Sequence, residues 1–181
     1  RKFERLRGKV AGVVGLGRIG SAFAKKVGVL GLEVLACDPF IDNKAASKVH
    51  AELVSLEELL ERSDFVSMHI PLNDSTYHLI GEVEMKRMKP TTFLINCARG
   101  PVVDQEALTE ALESGQIAGA ALDVQEVEPP TTETRERLFQ LPNVIITPHI
   151  GWYSEQSMIE RQIKGAQTVA KVIQGGKPST V

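Results

Sequence analysis

Val10-Ala11-Gly12-Val13-Val14 runs straight into Gly15-Leu16-Gly17-Arg18-Ile19-Gly20, so an apolar run stands directly before a GxGxxG turn. A Val-rich run with hardly a polar break is what a strand buried on both faces looks like. Each glycine after it has a use. Gly15 makes the tight turn, Gly17 lets the backbone approach a pyrophosphate, and Gly20 lets a helix pack on a strand. Residues 18–30 follow with helical patterning, and Arg18 and Ile19 open that helix. Its N-terminus offers unpaired N–H groups and the positive dipole end to phosphates. Glycine turns are common by themselves; strand before and helix after make this one a dinucleotide loop.

The same alternation continues outward. Apolar runs recur at residues 34–37, 65–70, 92–97, 118–124 and 144–147, with helical stretches at 56–62, 104–114 and 154–174. Ser55 and Glu58 have the spacing of a capping box, Asp104 can cap the next helix and Gly115 end it, and Gly175-Gly176 stops the last one. This order predicts an α/β fold: a Rossmann-type doubly wound parallel sheet in three layers, with right-handed crossovers. Residues 126–142 are rich in Glu, Thr and Pro and predict a long loop with a helical turn near 135–139. Asp38 ends the second run, where a carboxylate accepts hydrogen bonds from both ribose hydroxyls and repels a 2′-phosphate. No arginine follows in Pro39-Phe40-Ile41, so the cofactor expected is NAD, not NADP.

The bulk numbers narrow the classes. The 181 residues are 43% hydrophobic and 24% charged, the proportions of a globular chain with a sizeable core. Lys and Arg total 21 against 23 Asp and Glu, which argues against a nucleic-acid surface. Cys37 and Cys97 lie in apolar runs without a CxxC spacing and are expected to be buried thiols in a reducing compartment. No stretch reads as a membrane span or a signal peptide, which leaves the cytoplasm as the expected location, and no metal site is expected. His50 and His78 are expected on the surface or in loops.

Leu6-Arg7-Gly8-Lys9 before the glycine turn, His69-Ile70-Pro71-Leu72 with Thr76, Asn96-Cys97-Ala98-Arg99-Gly100, Ala121-Leu122-Asp123-Val124 with Glu128-Pro129, and Thr147-Pro148-His149-Ile150-Gly151 resemble, in order, the D-isomer-specific 2-hydroxyacid dehydrogenases. The resemblance implies reversible hydride transfer between NAD(H) and a 2-keto or D-2-hydroxy acid. It assigns Arg99 to the substrate carboxylate and carbonyl, for which a planar, permanently charged fork is suited. It assigns His149 to proton transfer, and Glu128 to holding that imidazole and favouring its charged form. Pro71 and Thr76 are expected along the adenosine half, Cys97 and Asp123 at the nicotinamide carboxamide. His69 belongs to the cofactor side, not the carbonyl. Formate-oxidising relatives carry Gln in place of Glu128, which argues against formate.

Two departures stand out. Trp152-Tyr153 replaces the usual small residue after Gly151, as in the branch that holds the C-terminal-binding-protein corepressors; Trp152 either walls the substrate pocket or anchors an interface. Gln125 stands where an aromatic residue is frequent. The whole of 1–181 is expected to be the NAD-binding domain, with 1–7 and 175–181 connecting to a substrate domain that the chain lacks. The isolated chain should therefore bind NAD(H) but turn over substrate poorly. A homodimer through this domain is expected, and an NAD(H)-sensing scaffold is the alternative to an enzyme.

Overall fold

Strand β1 (Val10–Val14) pairs in parallel with β2 (Glu33–Cys37) on one side and with β4 (Phe65–Met68) on the other. The computed structural model describes residues 4–133 and 137–178. With β3 (Ala51–Leu53), β5 (Phe93–Asn96), β6 (Gly119–Leu122) and β7 (Val144–Ile146), the described strands form one parallel sheet in the order β3-β2-β1-β4-β5-β6-β7. The chain winds outward from β1 to β3, then returns to β4 and winds the other way. The expected doubly wound α/β architecture is therefore present, and the reversal falls between β1 and β4, beside the glycine turn.

Alternation along the strands sends side chains to two cores. Val13, Val34 and Ala36 face one cluster with Leu16 and Ala24, under helix α1 (Arg18–Val29) and the short α2 (Asn43–Ser47). Val14, Leu35, Val66, Met68 and Leu94 face the larger cluster, with Leu59 and Leu60 of α3 (Leu56–Arg62), Met85 of α4 (Glu82–Arg87) and Leu108 and Leu112 of α5 (Gln105–Glu113). At the β5–β7 end the expectation of strands buried on both faces fails. Phe93 and Ile145 are 42% and 69% exposed. With neighbours such as Phe65 and Ala121 they line an apolar cavity of about 360 Å³.

The elements that the periodicity missed are α2, β3 and α4, each too short to show a period. Ser55 caps α3 by accepting from the Glu58 N–H at 3.1 Å, but Glu58 does not close the predicted box: its carboxylate pairs with Arg62, one turn on. Asp104 caps α5 through the Ala107 N–H as expected, and Gly115 follows in the left-handed region. Part of the helical turn expected near 135–139 lies outside the described residues; a 3₁₀ turn covers Leu138–Gln140.

The chain divides into two compact units, Arg1–Pro148 and His149–Val181. The second holds the turn after His149 and helix α6 (Glu155–Ile173), which Ser154 caps through the Ser157 N–H and Gly175 follows at positive φ. Among the described residues no helix is long and apolar enough to cross a membrane.

Candidate functional site

The carboxyl ends of the strands carry almost every residue singled out in unit one. Gly15, with φ +92°, turns the chain out of β1. A Cβ there would meet the His69 carbonyl at 2.8 Å, so this turn is folded against the end of β4. A Cβ on Gly20 would lie 2.0 Å from the Gly15 carbonyl oxygen, which is how α1 comes to sit directly on its own entry loop. Gly17 differs: a Cβ there meets nothing within 4 Å. The protein does not need that position bare for its own packing. Gly17 is also the N-cap of α1, with no side-chain cap and no acid in the first turn. The helix thus starts beside open space, with no acid in its own first turn to occupy its N–H groups, a fit for the pyrophosphate of a dinucleotide. Arg18 and Ile19 are exposed at this end.

Asp38 does more than the ribose role predicts. Its Oδ2 accepts from the Leu16 N–H at 2.8 Å, and Oδ1 from the Phe40 N–H at 2.9 Å. The residue expected to read the ribose therefore also pins the middle of the phosphate loop, and each oxygen retains a further lone pair for a hydroxyl. Beyond β4, Thr76 donates to the Pro71 carbonyl at 2.7 Å and accepts from the Asn73 N–H at 2.8 Å, closing a small loop. His69 packs its ring on Phe23 at 5.0 Å and shares a 3.0 Å hydrogen bond with the Ser67 hydroxyl. Burial lowers its pKa to about 4. A neutral imidazole beside the glycine turn brings no cation to a phosphate, and keeping His69 out of the proton-transfer role is consistent with that.

On the other side of the reversal lie Cys97, Arg99 and Asp123. Asn96, at the end of β5, shapes the turn by accepting from the Ala98 N–H and donating to the Arg99 carbonyl, both at 3.0 Å. Arg99 is exposed, with Nη1 donating to the Ala98 carbonyl at 2.7 Å. Cys97 is not the buried thiol expected, because β5 has already ended and its side is open. The protein around it, and then the charge of Asp123, still raise the thiol pKa, so the sulfur is protonated at neutral pH. Asp123 is only 5% exposed and accepts from the Thr147 hydroxyl. In the sequence Thr147 is only one letter of a motif; its role as the orienting partner of Asp123 becomes visible once β6 and β7 are neighbours.

The crossing of two backbones explains Gly100. A Cβ there would fall 1.8 Å from the Gln125 carbonyl oxygen, so the Arg99 turn and the segment leading to Glu128 pass in contact. Glu128 Oε1 accepts from the Gln125 N–H at 2.9 Å. The Gln125 side chain is 7% exposed, and among the described residues neither of its amide atoms has a partner. His78 is a loop residue as expected, but a half-buried one: it hydrogen-bonds Glu126 at 2.9 Å.

His149 belongs to the second unit. It lies in the left-handed region at φ +56°, and its carbonyl accepts from the Trp152 indole N–H at 3.0 Å. The Arg161 guanidinium covers the Trp152 ring at 4.8 Å. Trp152 is thus tied to the histidine turn. The described residues contain no group of three or more His, Cys, Asp or Glu that could hold a metal ion.

The family described as D-isomer specific 2-hydroxyacid dehydrogenase, NAD binding domain, matches residues 1–151. A glyoxylate reductase of Thermococcus litoralis is 49% identical over 146 residues, which cover 81% of this chain and 43% of that protein. A D-3-phosphoglycerate dehydrogenase of Synechocystis is 42% identical over 167 residues, 92% of this chain and 30% of that one. Among solved structures, D-lactate dehydrogenase with NAD+ from Lactobacillus jensenii superposes with a TM-score of 0.90 at 30% identity, covering 98% of this chain and 56% of that one. The chain spans less than half the length of these curated relatives.

Proposed function

The chain belongs to the D-isomer specific 2-hydroxyacid dehydrogenases as their NAD-binding domain, and on that premise we propose that the protein containing it interconverts a 2-keto acid and a D-2-hydroxy acid. Bound NAD(H) supplies or accepts the hydride. The chain's own residues bind the cofactor, orient its reactive ring and manage substrate charge and the proton.

The observation that carries this reading is the gathering, along one sheet edge, of an uncapped helix N-terminus over bare Gly17, the acid Asp38, and the Cys97, Arg99 and Asp123 turns. Gly15, Gly17, Gly20 and the N–H groups of Arg18 and Ile19 hold the pyrophosphate. Asp38 takes the ribose and disfavours a 2′-phosphate. Pro71 and Thr76 border the adenosine half. Asp123, held by Thr147, would accept the N–H of the nicotinamide carboxamide, with Cys97 close by in sequence to the substrate arginine, and so orient the ring. Arg99 holds the substrate carboxylate and polarises the adjacent carbonyl with parallel N–H donors. His149 delivers the proton to the forming alkoxide, and Glu128 holds the imidazolium. Trp152 borders the substrate side chain.

The remaining catalytic surface comes from a substrate domain outside these residues, closing over the cofactor and excluding water. Glyoxylate is the first substrate to test, from the 49% identity with the Thermococcus litoralis enzyme. A homodimer through this domain and a cytoplasmic location complete the proposal. The test is NADH oxidation by the full-length protein with glyoxylate, pyruvate and phenyl- and methylthio-substituted 2-keto acids. Turnover of one of them to the D product supports the reading. Tight NADH binding without turnover of any refutes it and leaves an NAD(H)-sensing scaffold.

A further inference from the structure

Among the described residues, the Glu126 carboxylate is gripped from two other segments of the chain. Its Oε1 pairs with His78 Nε2 at 2.9 Å. Its Oε2 accepts from the Gln105 N–H at 3.0 Å, at the start of α5. The Glu126 N–H in turn donates to the Gln105 side-chain oxygen at 3.2 Å. Glu126 lies two residues before Glu128, and the intervening turn is closed by the Gln125 N–H on Glu128 Oε1.

His78 is itself held firmly. Its backbone sits at φ +49°, a region that a non-glycine residue adopts at a cost. Its N–H donates to the Pro101 carbonyl at 2.8 Å, its ring stacks on Tyr77 at 4.0 Å, and Nδ1 lies 3.5 Å from the Asp104 carboxylate. Imidazole and carboxylate are each about a quarter exposed, at 28% and 25%. Three segments therefore meet at one hydrogen-bonded pair: the loop after β4, the turn that follows Arg99, and the loop that bears Glu128.

We propose that Glu126, locked by His78 and Gln105, is the positioning residue that sets the Glu128 carboxylate in place. It touches neither substrate nor cofactor; it fixes the loop whose next acid does the chemistry. This rests on the reading of Glu128 as the partner of the proton-transferring histidine. Without the lock the Glu128 loop loses its ties to the loop after β4 and to the start of α5, and the carboxylate spends less time where it favours the imidazolium.

The test uses the full-length protein. Glu126→Ala is expected to lower kcat about tenfold or more, to leave the KM for NADH within about twofold, and to move the apparent pKa of the kcat profile downward. His78→Leu should lower kcat in the same direction. His78→Gln, whose amide N–H can still donate to Glu126, should restore most of it. In the double variant His78→Leu/Glu126→Ala the loss should be no larger than in Glu126→Ala, since His78 acts on the loop through Glu126. Should Glu126→Ala fold poorly, Glu126→Met, which removes both carboxylate acceptors at similar volume, gives the same pH readout. Amide hydrogen exchange at Gln125 should quicken in these variants, a readout independent of turnover. Wild-type kcat, pH profile and Gln125 exchange in Glu126→Ala, alongside inactive Glu128→Gln, would overturn the proposal. Full activity of Glu128→Gln would instead remove the role assigned to Glu128, and the exchange rate at Gln125 would still decide whether Glu126 holds the loop.

Discussion

Gly17 and Gly20 belong to one motif, yet replacing each with alanine should break different things. At Gly20 the new Cβ would stand 2.0 Å from the Gly15 carbonyl oxygen, where real contacts are 3.0 Å or longer. The obstacle is backbone, held in a turn at φ +92°, so no side chain can swing aside. Helix α1 or the loop must shift by about 1 Å, and overpacking of that kind costs about 3 kcal/mol, at the upper end of its usual range. In a domain of this size that lowers Tm by about 6–12 °C. At Gly17 the Cβ enters open space at an ordinary φ of −65°, so the fold should lose only a fraction of a kcal/mol from the weaker N-cap. NADH should bind about 10–100-fold more weakly, because the methyl group stands where the pyrophosphate backs onto the helix. Thermal unfolding and NADH fluorescence titration of both variants make the assay. A Gly20→Ala protein as stable as the wild type, or a Gly17→Ala protein with unchanged Kd, would refute the geometry of the loop.

Other outcomes follow from single groups. His69 is near 6.5 when unfolded and about 4 when folded, so between those values the unfolded chain binds the extra proton. Its penalty is absent above pH 6.5 and grows as pH falls toward 4, to an upper bound of about 3 kcal/mol given its partial exposure. Denaturant titrations across that window should show the loss, and His69→Leu should flatten it; an unchanged slope contradicts the burial argument. Asp38→Ala should narrow the preference for NAD over NADP and also cost about 1–3 kcal/mol of stability, since the Leu16 and Phe40 N–H groups lose their acceptor; calorimetry showing no loss would deny its loop-pinning role. His149→Ala in the full-length protein should reduce kcat about 10²–10⁴-fold, and a near-normal rate would give the proton to another group.

Some residues were legible because their chemistry is local. The glycine turn, its flanking strand and helix, and the caps at Ser55 and Asp104 are set by sequence neighbours, so a linear reading finds them. Cys97 was misjudged because an apolar run outlasts the strand it forms: β5 ends at Asn96, and the next side chain is beyond the sheet. The short β3 and α4 carry too few residues for a period to show. His78 is the loop histidine expected, but its partners, Asp104 and Glu126, come from distant segments and leave no mark in the local sequence.

The order of apolar runs and helical stretches, with GxGxxG after the first, was enough to specify a doubly wound parallel sheet and a dinucleotide site, because strand burial and helix capping depend on neighbours a few residues apart. Tertiary structure alone decided that Asp38 braces Leu16, that Thr147 holds Asp123, that Gly100 yields to the Gln125 carbonyl and that Glu126 is shared between His78 and Gln105. Those contacts join residues far apart in the chain. Their distances are set by which strands become neighbours, a choice that many packed side chains make together and no short motif records.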